Sequence, residues 1–267
     1  RGVDMKIEVA AHRGNMALFP ENTLPAFRSA CEIGVDMIEL DLHMTKDGEI
    51  IIAHDSDFLR TADNLGKIHE MTLAEIKKID VGRKRGEEFA GYSVPTLEEF
   101  LDLMKQIGQN VAFNFEFKDY IHVLGSGFAC KSADRAIGLI DEYGLWDRSV
   151  ANSFDGRLLE YIEKKYDGRF RLHGFYPYEI GGNTKARLYC ACLFNQRIVD
   201  GKWVRGDSPV NPAEDFDRVK ADGIHPWVGA GVRTETDVLL AVERGAELFT
   251  SNDPAGLIGI LKKHGLR

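Results

Sequence analysis

The sequence predicts an α/β fold: a parallel eight-stranded barrel with helices outside and a small insertion after the second strand. Three observations predict it. Short apolar strands alternate with helices in roughly eight units. The 267 residues match the about 250 residues usual for this architecture. Two strands are apolar on both faces, as buried parallel strands must be, until ionisable residues appear at their C-terminal ends. A doubly wound open sheet is the alternative, but no Gly-x-Gly-x-x-Gly follows the first strand to favour it. With 44% apolar residues, one domain over residues 1–267 with one sizeable core is expected.

The elements follow in order. Ile7 to Ala11 is an apolar strand that runs into His12-Arg13-Gly14. Pro20-Glu21-Asn22-Thr23 leads a helix with Leu24, Phe27, Ala30 and Cys31 at helical spacing, stopped by Gly34. The second strand begins at Val35, and Lys46-Asp47-Gly48 turns it into a partner strand, Glu49 to Ala53, ending at His54-Asp55. Residues 56 to about 94 break the rhythm with many charges, a short helical run from Thr72 to Ile79 and glycines at 82, 86 and 91. They read as an insertion outside the repeating units, placed to cover a site. Pro95-Thr96-Leu97-Glu98-Glu99 restarts the pattern with a helix N-terminus whose acidic first turn suits the helix dipole. Strands are then expected at Val111–Lys118, Ser149–Phe154, Phe170–Tyr176, Arg187–Phe194, Ile224–Val228 and Glu247–Thr250. Helices are expected at Ala133–Tyr143, Gly156–Lys165, Pro212–Ala221, Glu235–Arg244 and Ala255–His264. The segment Asn195 to Pro209 fits no regular element.

Two strands carry the chemistry. In VDMIELDLHM, Asp36, Ile38, Leu40, Leu42 and Met44 share one face, while Val35, Met37, Glu39, Asp41 and His43 share the other. That second face is apolar first and acidic later. Carboxylates two residues apart on a strand lie roughly 6.5 to 7 Å apart and point the same way, close enough to chelate one hard cation. The alternative is a solvated strand face bearing an acidic pair. VAFNFEFK repeats the logic, with Val111, Phe113, Phe115 and Phe117 on one face and Ala112, Asn114, Glu116 and Lys118 on the other. A cross-strand salt bridge is the alternative there.

Composition excludes other classes. Lys plus Arg at 34 against Asp plus Glu at 42 leaves a net charge of −8, without the basic footprint of a nucleic-acid binder, so no nucleic-acid partner is expected. Cys31, Cys130, Cys190 and Cys192 are too few for a disulfide framework, and Cys190 with Cys192 lacks two further soft ligands for zinc. No stretch approaches the roughly 20 apolar residues of a membrane span. The chain begins with Arg1 and no signal-type apolar run follows. Its acidity and scattered thiols suit a cytoplasmic enzyme, with an exported form or a removed leader also compatible. Nothing in the pattern sets an oligomeric state.

These residues resemble the glycerophosphodiester phosphodiesterases. The resemblance rests on Ala11-His12-Arg13-Gly14, Pro20-Glu21-Asn22-Thr23, Glu39-Leu40-Asp41 running into Thr45-Lys46-Asp47-Gly48, His54-Asp55, Pro95-Thr96-Leu97-Glu98-Glu99 and Glu116-Phe117-Lys118. It continues more weakly through Ser153-Phe154, Trp227 and Ser251-Asn252-Asp253-Pro254. It implies a (β/α)8 TIM barrel, one bound Mg²⁺ or Ca²⁺, and hydrolysis of glycerophosphodiesters to glycerol 3-phosphate and an alcohol. It implies the metal on Glu39, Asp41 and Glu116, acid-base catalysis by His12 and His54, and phosphate contacts from Arg13 and Lys118. Trp227 and His43 are further candidates for the substrate pocket.

The residue chemistry agrees with these roles. Three carboxylates without a thiol suit a hard cation. Two histidines that titrate near neutrality can divide the proton transfers of a phosphodiester reaction, with His12 expected as base and His54 as acid. Arg offers a planar fork to phosphate and Lys a point charge. The chain departs from the family where Val228-Gly229-Ala230-Gly231 follows Trp227, in place of the usual Thr-Val-Asn, and where Ser251-Asn252 replaces Thr-Asp. Two other readings stand beside the phosphodiesterase. One is a phospholipase D-like or lysophospholipase D-type enzyme on lipid diesters, which would display an exposed apolar or basic surface. The other is a non-catalytic phosphate- or metal-binding barrel, which would not need the histidine pair.

Overall fold

The computed structural model describes residues 6–267, so the first five residues of the expected domain lie outside it. Eight parallel strands close on themselves: β1 (Glu8–His12), β2 (Met37–Met44), β4 (Ala112–Phe117), β5 (Ser149–Asn152), β6 (Arg171–Tyr176), β7 (Cys190–Leu193), β10 (His225–Val228) and β11 (Leu248–Ser251). Pairing of β1 with both β2 and β11 completes the ring. The remaining strands stand outside it. β3 (Ile50–Ile52) pairs antiparallel with the end of β2, and β8 (Gln196–Val199) with β9 (Lys202–Arg205) forms a separate hairpin.

The outer helices are α1 (Leu24–Ile33), α4 (Leu97–Ile107), α5 (Ile121–Glu142), α6 (Gly156–Lys165), α7 (Ala213–Ala221), α8 (Glu235–Arg244) and α9 (Pro254–Lys263). Two short helices, α2 (Leu59–Ala62) and α3 (Leu73–Ile76), lie in the insertion. Local chemistry starts most of them. Thr23 and Asp253 cap α1 and α9 ahead of Pro25 and Pro254, and Thr96 with Glu99 forms a reciprocal capping box on α4. The outward strand faces, among them Ile38, Leu40, Phe113 and Phe115, join apolar helix faces in the main core. The insertion has its own small core of Ile51, Phe58, Ile68, Ile76, Ile79 and Val94.

Inside the ring, polarity is sorted by height. Ala10, Met37, Val150, Cys190, Trp227 and Leu248 form an apolar floor. Above it the register sets His12 beside Glu39, Glu39 beside Asn114, and Asp41 beside Glu116. In barrels of parallel strands the chemistry sits at the C-terminal ends of the strands, above the packed interior.

Three expectations need correction. The helix expected at Ala133–Tyr143 spans Ile121–Glu142, broken at Gly125, whose φ of 80° only glycine adopts readily. The strand expected over Arg187–Phe194 shortens to Cys190–Leu193. Residues 196–205, left without an element, form the β8–β9 hairpin around Asp200-Gly201, both in the left-handed region that a two-residue turn requires.

Candidate active site

Glu39, Asp41 and Glu116 each offer a carboxylate oxygen, and these oxygens lie within 4.8 Å of one another. All three side chains are buried. Glu39 Oε1 and Asp41 Oδ1 have no hydrogen-bond partner among the described residues, an expensive state for buried carboxylates unless a cation completes them. Burial, with Asp41 and Glu116 nearby, raises Glu39 well above the usual carboxylate range. Burial also raises Glu116, against the opposing Lys118. Asp41 goes the other way, because Lys118 and Arg13 outweigh its desolvation.

Lys118 and Arg13 both lie beside these carboxylates. Lys118 Nζ lies 2.7 Å from Glu116 Oε1 and 3.6 Å from Asp41 Oδ1. Its desolvation is overcome by those two carboxylates, which raise its pKa. Arg13 sits in the left-handed region, φ 57°, at the sharp exit from β1. Its backbone N–H donates to Glu39 Oε2 at 3.0 Å, its Nη1 to Glu21 Oε1 at 2.9 Å, and its Nε lies 3.5 Å from Asp41 Oδ2.

The two histidines are held differently. His12 Nδ1 meets Asn252 Oδ1 at 2.5 Å, leaving Nε2 facing the carboxylates, 3.9 Å from Glu39 Oε2. Burial and the neighbouring Arg13 lower its pKa to about 4. His54 Nδ1 meets Asp55 Oδ1 at 2.7 Å. Burial lowers His54 too, with Asp41 and Asp55 opposing. Both oxygens accept from Nδ1–H and so fix the same tautomer, with Nε2 free, but a neutral amide behind one ring and a carboxylate behind the other give the two imidazolium forms unequal support.

Several residues that sequence reasoning did not assign hold this set in place. Asp55 Oδ2 accepts from Arg60 Nε at 2.7 Å, and Arg60 donates to both oxygens of Glu21 at 2.7 Å. A hydrogen-bonded chain thus runs His54–Asp55–Arg60–Glu21–Arg13. Asn22 Nδ2 donates to Asp41 Oδ2 at 2.9 Å, while the adjacent Thr23 caps α1. The Pro-Glu-Asn-Thr stretch was visible as a motif, but its partners lie across the fold.

The two pocket candidates have different surroundings. His43 bonds Asp119 through Nδ1 at 2.7 Å, and its Nε2 lies 3.4 Å from the carbonyl oxygen of His54, so it supports the loop carrying that residue. Trp227 is 4% exposed in the apolar floor, edge-on to His173 at 5.1 Å. An aromatic wall stands beside Lys118: Phe154 stacks on Phe175 at 3.8 Å, with Phe194 next to them and Lys118 Nζ 5.8 Å from the Phe154 ring centre. Phe154, Phe194 and the residues after β7 line a cleft of about 480 Å³.

Comparison with known proteins extends this picture. Residues 12–246 match the Glycerophosphoryl diester phosphodiesterase family. A glycerophosphodiester phosphodiesterase of Caldanaerobacter subterraneus is 32% identical over 271 aligned positions, covering 98% of this chain and all of the relative. An Oleispira antarctica phosphodiesterase solved with the product sn-glycerol-3-phosphate superposes with a TM-score of 0.77 at 20% identity, over 96% of this chain and 97% of that one. A glycerophosphodiester phosphodiesterase of Thermotoga maritima gives 0.69 at 21%, over 95% and 98%. At these identities the two structures show the shared barrel.

Proposed function

The chain belongs to the glycerophosphoryl diester phosphodiesterase family, enzymes that hydrolyse glycerophosphodiesters, and on that premise we propose how its own residues do so. Glu39, Asp41 and Glu116 hold one divalent cation, Mg²⁺ or Ca²⁺. The fit rests on an all-oxygen donor set with orphaned buried oxygens on Glu39 and Asp41. When bound, the cation polarises a phosphoryl oxygen and offsets charge developing on the phosphate.

The rest is done by the protein's side chains. Arg13 and Lys118 orient the phosphate oxygens, Arg13 held in place by Glu21. His12 Nε2, kept free by the Asn252 contact at Nδ1, takes the proton of the nucleophile, either water or the adjacent glycerol hydroxyl. His54, backed by Asp55, delivers a proton to the departing alcohol oxygen. With water as nucleophile the products are sn-glycerol 3-phosphate and an alcohol directly; with the glycerol hydroxyl the alcohol leaves first and a cyclic phosphate forms, which water then opens to sn-glycerol 3-phosphate. The observation that carries this division is the unlike backing of the two rings. The neutral amide behind His12 favours imidazolium less than the carboxylate behind His54 does.

A leaving-group comparison tests it. His54→Ala lowers kcat about 10² to 10⁴-fold on glycerophosphocholine but far less on a glycerophosphodiester of nitrophenol, whose leaving oxygen needs no proton. His12→Ala is slow on both. Equal losses for the two variants on both substrates would remove the assignment of acid to His54. Capture of a cyclic glycerol phosphate would identify the glycerol hydroxyl as nucleophile, and its absence under trapping conditions would identify water.

A further inference from the structure

The β8–β9 hairpin is an unusual surface. Ile198, Val199, Trp203 and Val204 are 51%, 42%, 45% and 44% exposed. They are four of the nine strongly exposed large apolar side chains among the described residues, gathered on a ribbon of ten residues. Scattered exposed apolar residues need no explanation, but a contiguous set does. Register sets Ile198 opposite Trp203 on one face, and Arg197 opposite Val204 with Val199 opposite Lys202 on the other. Both faces therefore mix apolar and basic side chains, and neither is buried against the barrel. The base is fastened by Asn195, whose Nδ2 donates to Ser208 O at 2.8 Å and whose carbonyl accepts from Gly206 N at 2.8 Å.

Charge points the same way. In a chain of net charge −8, this ribbon carries Arg197, Lys202 and Arg205 against one acid, Asp200. None of the three cations forms an ion pair or side-chain hydrogen bond among the described residues, whereas basic residues elsewhere, such as Arg60, Arg157 and Lys165, are paired. We propose that the β8–β9 hairpin docks the enzyme on an anionic lipid surface, with Trp203 and the aliphatic side chains in the interfacial layer and the cations against lipid phosphates. A second copy of the chain is the competing occupant. Stable protein interfaces bury about 800 Å² per partner from roughly 20–30 residues a side, and a ten-residue ribbon with four apolar side chains is small for that. The hairpin follows the C-terminal end of β7, and Gln196 and Arg205 at its base line the aromatic cleft beside Lys118. Docking would set that cleft against the headgroup layer.

Flotation with phosphatidylcholine vesicles, with and without phosphatidylglycerol, tests the proposal. The expected result is binding to the phosphatidylglycerol vesicles that salt weakens, lost at least about tenfold in Ile198→Ser/Trp203→Ser and about tenfold in Arg197→Ser/Lys202→Ser. Hydrolysis of dissolved glycerophosphocholine by both variants stays at the unsubstituted level and reports their folding. Emission of the Trp146→Phe protein, in which Trp203 is the exposed indole and Trp227 is buried, shifts to shorter wavelength on adding those vesicles, independently of the hairpin variants. Absence of flotation, flotation indifferent to both hairpin variants, or a hairpin variant that instead converts a dimer to a monomer would overturn it.

Discussion

The residues nearest the carboxylates are legible in the sequence because strand geometry exposes them. Period-two alternation puts Glu39 with Asp41, and Asn114 with Glu116, on inward faces, and strand ends point His12 and Lys118 to the same opening. Their supports are illegible for an equally physical reason. Asn252 reaches His12 across 240 positions and Arg60 reaches Glu21 across 39, and no local pattern encodes such pairs. Trp227 lies in the apolar floor, and a strand position near the C-terminal end does not say whether a ring turns up to the mouth or down to that floor. The supports make a sharp prediction. Asn252→Ala leaves His12 without the partner that fixes its tautomer, and kcat on glycerophosphocholine falls about tenfold or more with KM little changed. An unchanged kcat would mean that Asn252 does not position His12.

At the scale of elements, helices were readable where caps and apolar stripes coincide, as in α4, α6 and α8, and less so where a glycine bends the path, as at Gly125. The hairpin escaped because its strands bury no face, and alternation is a signal of burial. The turn from β1 to α1 is the tightest link between element and site. Gly14 has φ +78°, and a Cβ there would lie 2.8 Å from the backbone carbon of Ala26. Gly14→Ala therefore combines left-handed strain with a backbone clash, and urea unfolding is expected to show a loss of about 2 kcal/mol or more. Within the ring, His173 is buried against Asn114 and desolvation lowers its pKa to about 3, against 6.5 as an ordinary histidine. Its proton binds the unfolded chain more tightly. Stability from this group is thus complete above about pH 6.5 and is lost as pH falls towards 3, by at most about 1.4 kcal/mol per pH unit. His173→Gln should flatten the fall of the urea midpoint below pH 6.5. A parallel fall in both proteins would assign acid lability elsewhere.

At the scale of the molecule, the closed ring explains why a net-negative protein can handle a negative substrate. Charge is sorted by place: the carboxylates gather within 4.8 Å inside the barrel, Arg13 and Lys118 stand at its opening, and the unpaired cations of the hairpin sit outside it. The barrel was readable from length and from the strand-helix rhythm, because eight such units have few other ways to bury every strand. The central claim is that the Glu39–Asp41–Glu116 cluster is a divalent-cation site on which hydrolysis depends. Its most direct test is glycerol 3-phosphate release from glycerophosphocholine, glycerophosphoethanolamine and glycerophosphoglycerol in Mg²⁺, Ca²⁺ or EDTA, alongside calorimetric titration of the metal. Release is expected to be abolished by EDTA and restored by either cation, with both release and metal binding lost in Glu116→Ala. Release that persists undiminished in EDTA, or in Glu116→Ala, would contradict it.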